Sequence, residues 1–160
     1  MSSKPPRSGF ALAAEALSTS LIEVRASPIH GLGVFALHRL QRFQRIGTYA
    51  GKRYPTHSVR PDSDGPMTFL FALSDGSHID GSVGGNATRH INHHCSPNVL
   101  AIEYTNAQGE LGVQFLAKRE IAAGRELFLD YSLDLVGEDP AAYPCLCRHR
   151  KCRGTLAAVL

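Results

Sequence analysis

Three cysteines crowd the C-terminal end of the chain: Cys145-Leu146-Cys147, then Cys152, with Arg148, His149, Arg150 and Lys151 between them. Three thiols within eight residues cannot all pair with one another, and a C-x-C bridge closes a small, strained ring. Soft thiolates at this spacing suit a tetrahedral zinc ion, which takes four ligands. Cys95 or His149 could supply the fourth. The flanking cations favour the thiolate form. The competing reading is a free-thiol tail, or one disulfide to Cys95.

Three further segments have chemistry-bearing residues. Arg89-His90-Ile91-Asn92-His93-His94-Cys95-Ser96-Pro97-Asn98 gathers Asn, His and Cys around a proline turn. Taken alone it reads as an Asx-rich loop, and it lacks the helical H-E-x-x-H pattern of a zinc protease. Gly31-Leu32-Gly33-Val34-Phe35 lacks the spacing of a dinucleotide fingerprint. Its glycines fit a tight turn where backbone amides can approach a ligand. Glu126-Leu127-Phe128-Leu129-Asp130-Tyr131 and Tyr49-Ala50-Gly51 read as strand ends. There is no phosphate-binding loop, and no Ser/His/Asp or Cys/His nucleophile pattern.

The elements that must position these groups are short. The 160 residues favour one domain, and 43% hydrophobic with 19% charged residues excludes a disordered tail protein. No apolar run approaches the length of a membrane span. From Leu21 the pattern is of β-like runs punctuated by Gly, Pro, Asn and Asp: Leu21–Ala26, Gly33–Leu37, Arg45–Ala50, Met67–Leu73, Val99–Thr105, Leu111–Ala117 and Glu126–Tyr131. Pro55–Pro66 reads as an exposed loop and Ala87–Asn92 as a turn of helix. No sustained helical period is present, so the expectation is a mostly β domain with short helical insertions. Residues 1–19 read as a flexible leader, and the tail from Leu135 as irregular.

In this order, the segments resemble the SET-domain protein lysine methyltransferases, over about Leu21–Leu156. Gly31–Phe35 is similar to the family's first motif, and Tyr49-Ala50-Gly51 to the Y-x-G that follows. His78–Gly81 with Arg89–Asn98 resembles the stretch ending R-F-x-N-H-S-C-x-P-N, and Glu126–Tyr131 resembles E-L-x-x-D-Y. Cys145, Cys147 and Cys152 with Arg153-Gly154 resemble the post-SET motif. The resemblance implies a SET domain over 20–137, made of small sheets, and a zinc-bound post-SET segment over 138–160. It also implies a threaded arrangement in which the Glu126–Tyr131 strand passes beneath the Asn92–Asn98 loop. That would bring Cys95 to the tail and make Cys95, not His149, the fourth zinc ligand. No pre-SET cysteine cluster precedes the domain, so a minimal SET plus post-SET chain is expected.

The resemblance further implies S-adenosylmethionine as cofactor. Gly31, Leu32 and Gly33 would offer backbone groups to it, Arg89, Asn92 and His93 would hold it, and Phe69 replaces a common Tyr contact. Tyr131 would contact the cofactor and present the central hydroxyl, with Tyr49 on the lysine-channel wall. His90 and His94 stand where relatives often have Phe and Ser. Leu129 occupies a position where relatives commonly carry Phe or Tyr, and its smaller side chain implies di- or trimethylation.

The implied partner is a lysine-bearing protein or peptide: a histone, a histone-like protein or another protein. Asp134, Glu138 and Asp139 could attract a basic peptide. The net charge of +3 does not call for a nucleic-acid partner. Two rival classes are a non-catalytic zinc-stabilised binding module and a zinc-bearing nucleic-acid binder using Arg148, Arg150, Lys151 and Arg153. Oligomeric state is not readable. With no classical signal peptide, a cytoplasmic location with reduced thiols is expected. An exported effector acting on host chromatin would have the same signature.

Overall fold

The computed structural model describes residues 21–56, 58, 69–135 and 137–158. The expected leader over 1–19 lies outside them, as do most of the Pro55–Pro66 loop and the first two residues of the Met67–Leu73 run. Among the described residues ten short strands form three small sheets, as a mostly β chain with no helical period requires.

The first sheet has the order β1-β2-β10-β7, built from β1 (Ile22–Ala26), β2 (Leu32–Ala36), β10 (Glu126–Leu129) and β7 (Asn92–His93). β10 runs antiparallel to β2, with Leu127 opposite Val34, and parallel to β7, with Phe128 opposite Asn92. The second sheet, β3-β9-β8, comprises β3 (Arg45–Thr48), β9 (Leu111–Ala117) and β8 (Val99–Thr105). Its β8–β9 hairpin closes at Asn106–Gly109. There the Asn106 side chain accepts from the Gln108 and Glu110 amides at 2.9 Å each, and Gly109 takes φ +80°. Such a left-handed position favours glycine. The third sheet, β4-β6-β5, is β4 (Lys52–Tyr54), β6 (His78–Asp80) and β5 (Leu70–Ala72).

Alternation along β9 turns Val113, Phe115 and Ala117 inward, where they meet Val34, Leu40, Ile46, Ile79, Val99 and Leu127 in one core. Each large aliphatic or aromatic side chain buried there contributes about 2 kcal/mol. The expected strand at Glu126–Tyr131 ends at Leu129, because Asp130 and Tyr131 turn to side-chain partners. The expected helical turn is a 3-10 turn over Ala87–His90. Asn86 caps it by accepting from the Thr88 amide at 3.2 Å. It stops at Ile91, whose extended backbone leads into β7. β4 and β6 were not foreseen as strands, since three residues show no period. A second 3-10 turn, Pro140–Ala142, breaks the expected irregular tail, and Asp139 caps it from the side chain to the Ala141 amide at 2.9 Å.

Candidate active site and metal centre

β10 is the support on which the site is assembled. At one end of the 92–98 loop, the His94 amide donates to Leu129 O at 3.0 Å. At the other, Asn98 is buried and clamps the strand: its Nδ2 donates to Glu126 O at 2.8 Å, and its Oδ1 accepts from the Phe128 amide at 2.7 Å. The loop and β10 therefore lie together along their length, and Cys95, between these anchors, faces the C-terminal tail.

Next to them is a cavity of about 390 Å³. Seven of the residues assigned to a cofactor line it: Gly31, Leu32, Phe69, Arg89, Asn92, His93 and Tyr131. Gly33, Tyr49 and Leu129 do not. Gly33 lies behind the wall, where a Cβ would fall 2.1 Å from Glu126 Oε1. Glycine there makes room for a buried carboxylate. Leu129 is in the core beside the Tyr131 ring. Tyr49 packs on Phe71 and Phe115, and its hydroxyl donates to Phe69 O. The tail supplies a wall that the sequence did not reveal: Tyr143, Pro144, Leu146 and Leu156. No local pattern marks these as lining residues, because the tail reaches the cavity only after folding back. His90, replacing a common Phe, also lines the cavity, and its Nε2 accepts from Arg89 Nε at 3.1 Å. His94 packs instead on Phe128 and His149.

Asn92 is fixed by three acceptors around its Nδ2: His30 O at 3.1 Å, Leu32 O at 2.9 Å and Glu126 Oε1 at 3.1 Å. It thereby ties the glycine loop to β10. Glu126, whose side chain was given no role from the sequence, emerges as the joint between Gly33 and Asn92.

His93 is buried, and its Nδ1 accepts from the Tyr131 amide at 3.1 Å. That bond places the ring proton on Nε2, which lies 3.5 Å from Cys95 Sγ. Burial pulls His93 down to about 4, against the opposing pull of Asp130, so the ring is neutral. Burial pushes Tyr131 up to about 12, and its hydroxyl donates to Ile91 O at 2.8 Å. Burial also raises Tyr49, with Tyr131 adding to the effect. Both phenols therefore remain protonated at neutral pH.

The match to the family model decides what this constellation belongs to. The family described as the SET domain matches residues 31–132, well over half of the chain. The chain belongs to the SET-domain family. Curated relatives are similar over most of the chain. "Histone-lysine N-methyltransferase set1" of Dictyostelium discoideum is 31% identical over 147 residues, covering 84% of this chain and 9% of the relative. "Histone-lysine N-methyltransferase, H3 lysine-4 specific" of Saccharomyces cerevisiae is 32% identical over 136 residues, 81% of this chain and 12% of the relative. "Histone-lysine N-methyltransferase 2B" of Homo sapiens is 30% identical over 146 residues, 85% of this chain and 5% of the relative. This SET-domain chain thus spans only a small part of the length of these relatives.

Beyond the matched residues, the SET-domain tail is held by sulfur and by charge. The four sulfurs of Cys95, Cys145, Cys147 and Cys152 all lie within 4.8 Å of one another and could hold a metal ion. Cys95 Sγ is 3.6 Å from Cys145 Sγ and 4.0 Å from Cys152 Sγ. Tetrahedral zinc with Zn–S near 2.3 Å requires sulfurs about 3.8 Å apart, so the donor set fits. Cys95 joins the cluster, while His149 stacks on His94 outside it. Burial raises the Cys95 and Cys145 thiols when no cation is present. A divalent ion reverses that preference by binding thiolates.

Arg153 grips Asp130 with two hydrogen bonds, 2.7 Å and 2.8 Å long, joining the tail to the end of β10. This pair holds the Asp130 carboxyl at about 2. A depressed carboxylate stabilises the fold above its unfolded value of about 3.9, and that contribution is lost as pH falls toward 2. Asp130→Asn is therefore expected to lose about 1–3 kcal/mol at neutral pH. The gap from the parent chain should narrow in unfolding titrations run below pH 4. A constant gap across that range would contradict the assignment.

Proposed function

We propose that the chain is an S-adenosylmethionine-dependent protein-lysine N-methyltransferase with one structural zinc at Cys95, Cys145, Cys147 and Cys152. The carrying observation is that seven residues assigned to the cofactor from separate motifs converge on one cavity, walled on its far side by the cysteine-held tail.

When bound, the cofactor supplies an electrophilic methyl group on a sulfonium. The chain's own residues bind, orient and exclude water. Gly31 and Leu32 offer backbone groups, and Asn92 holds that loop at a fixed distance from β10. Arg89 and His93 form the polar side of the cavity; Phe69, Leu146 and Leu156 are the apolar side.

The amine to be methylated must be neutral, although a free lysine has a pKa of about 10.4. A water-poor passage disfavours the ammonium form. Neither Tyr131 nor Tyr49 serves as a base, because burial keeps both hydroxyls protonated. The proton leaves through water, and the tyrosine oxygens steer the amine's lone pair. Orientation then supplies most of the rate gain. Cys95, Cys145, Cys147 and Cys152 would hold a zinc ion that takes no part in the chemistry and keeps Tyr143, Pro144, Leu146 and Leu156 in place.

Leu129 supports a product of two or three methyls. It is an aliphatic side chain with no hydroxyl to hold a water beside the amine. Mass spectrometry at long reaction times should show di- and trimethyl-lysine; a monomethyl end point would contradict this.

Glu126 acts as a positioning residue through Asn92. Glu126→Ala should raise the cofactor KM about tenfold with a smaller change in kcat, since the loss of a charged hydrogen-bond partner costs about 1.5–3 kcal/mol. Glu126→Gln keeps an oxygen for Asn92 and should restore most of the affinity. Equal KM values for both variants and the parent would remove this role.

The substrate is a lysine in a histone, a histone-like protein or another protein. Support for this is the histone-lysine activity for which the relatives are named and the acids Asp134, Glu138 and Asp139 along the tail. A labelled-methyl assay over histones and a cell lysate, with mapping of the modified residue, tests it. Label found on no lysine would overturn the function.

A further inference from the structure

The chain's modest net charge hides an uneven distribution. Residues 37–45 and 117–121 are remote in sequence but stapled side by side. The Phe43 amide donates to Ala117 O at 2.7 Å, the Ala117 amide to Gln44 O at 3.0 Å, and Leu40 bridges Ile121. These two segments carry Arg39, Arg42, Arg45, Lys118 and Arg119 against one acid, Glu120. All six of these side chains are exposed. Arg39 is neutralised by Glu120 at 2.5 Å. Arg42, Arg45, Lys118 and Arg119 have no acid partner within these segments, and Arg119 also donates to Pro97 O at 3.2 Å. The positive face is therefore a product of folding, invisible to the overall charge of +3.

An aromatic ring is mounted at the tip of this face. Phe43 is 55% exposed and holds φ at +64°. A bulky residue in that conformation is an outlier that the flanking structure must impose. The Phe43 amide bond to Ala117 O and the Gln41–Gln44 turn around it hold it there, and the cost is not recovered by burying the ring. The Arg42 guanidinium lies over the ring, 4.5 Å from its centre. A cation and an aromatic face presented together beside further cations are the parts that bind single-stranded nucleic acid: backbone phosphates meet the arginines and an unpaired base stacks on the ring.

We propose that the face formed by 37–45 and 117–121 is a docking surface for single-stranded nucleic acid, with Phe43 stacking on a base and Arg42, Arg45, Lys118 and Arg119 on phosphates. It is separate from the cavity and does not depend on the methyl-transfer reading. The four arginines and lysines of the tail, Arg148, Arg150, Lys151 and Arg153, are not part of it; Arg153 is already committed to Asp130.

Fluorescence anisotropy of a dye-labelled oligothymidine with the full chain tests this. Binding should weaken between about 50 and about 200 mM salt with a log–log slope of about −3, from four phosphate contacts at about −0.7 each. Phe43→Ala should weaken the complex about fivefold or more. Arg42→Glu with Arg45→Glu should weaken it further, while the variant's melting temperature and its labelled-methyl activity on a short peptide stay unchanged. Arg148→Glu with Arg150→Glu serves as the control and should leave binding near the parent value. The proposal is overturned by a flat salt dependence, by no effect of Phe43→Ala, or by loss of binding in the tail variant only. Equal competition by polyglutamate of matched charge would also overturn it, by making the face a general anion surface.

Discussion

Tyr131→Phe should fold like the parent chain, retain its metal and cofactor, and transfer methyl groups about a hundredfold or more slowly. Removing the hydroxyl leaves the ring packed on His93, with centroids 5.4 Å apart, and leaves the amide bond to His93 Nδ1 in place. The hydrogen bond to Ile91 O is lost, at about 1 kcal/mol of stability. Catalysis should suffer far more, because the hydroxyl oxygen, fixed by its bond to Ile91 O, is the group proposed to orient the amine, and a preorganised polar group in a dry site is worth about a hundred- to a thousandfold. Cofactor affinity by isothermal titration should change little. A variant that turns over at the parent rate would take Tyr131 out of the reaction.

Breaking the sulfur cluster should have the other large effect, by a different route. Cys95→Ser, or removal of metal with a chelator, should lower bound zinc from about one per chain toward none. Structural zinc can contribute about 10–16 kcal/mol in small domains, and here it would join segments 50 residues apart, Cys95 to Cys145. Tyr143, Pro144, Leu146 and Leu156 would then leave the cavity, so cofactor binding should fall at least tenfold while β1–β10 remain folded. The partly buried Arg153–Asp130 pair and the Leu133–Ala157 bridge would remain, but both hold the tail C-terminal to its Cys145–Cys147 stretch. Elemental analysis and cofactor titration read the two effects separately. A metal-free chain with undiminished cofactor affinity would show that the tail needs no ion.

Much of the site was legible because its groups occur as local motifs. Gly31-Leu32-Gly33, Arg89 to Cys95 and Glu126 to Tyr131 are each short enough to be read from types and spacing, and their order named the family. The fourth sulfur was not legible from spacing alone. His149 is nearer in sequence to Cys147 than Cys95 is, and only the loop laid along β10 brings Cys95 to the tail. Glu126 looked like a strand residue because its role depends on two partners far away, Gly33 and Asn92. The tail wall was invisible for the same reason. β4 and β6 were missed because a three-residue strand is specified by its neighbours in the sheet, not by its own alternation.

The pH dependence of the reaction follows from the same burial. With both tyrosines held protonated and no base assigned, kcat/KM should climb through the neutral and mildly alkaline range as more substrate lysine becomes neutral.

The central claim is that this cavity delivers a methyl group to lysine nitrogen. Its most direct measurement is mass spectrometry of histones and of a lysate after incubation with the chain and S-adenosylmethionine, beside a Tyr131→Phe control. Methylated lysine is expected in the parent reaction and almost none in the control. Equal lysine methylation in both reactions, or none in either while the chain binds the cofactor, would contradict it.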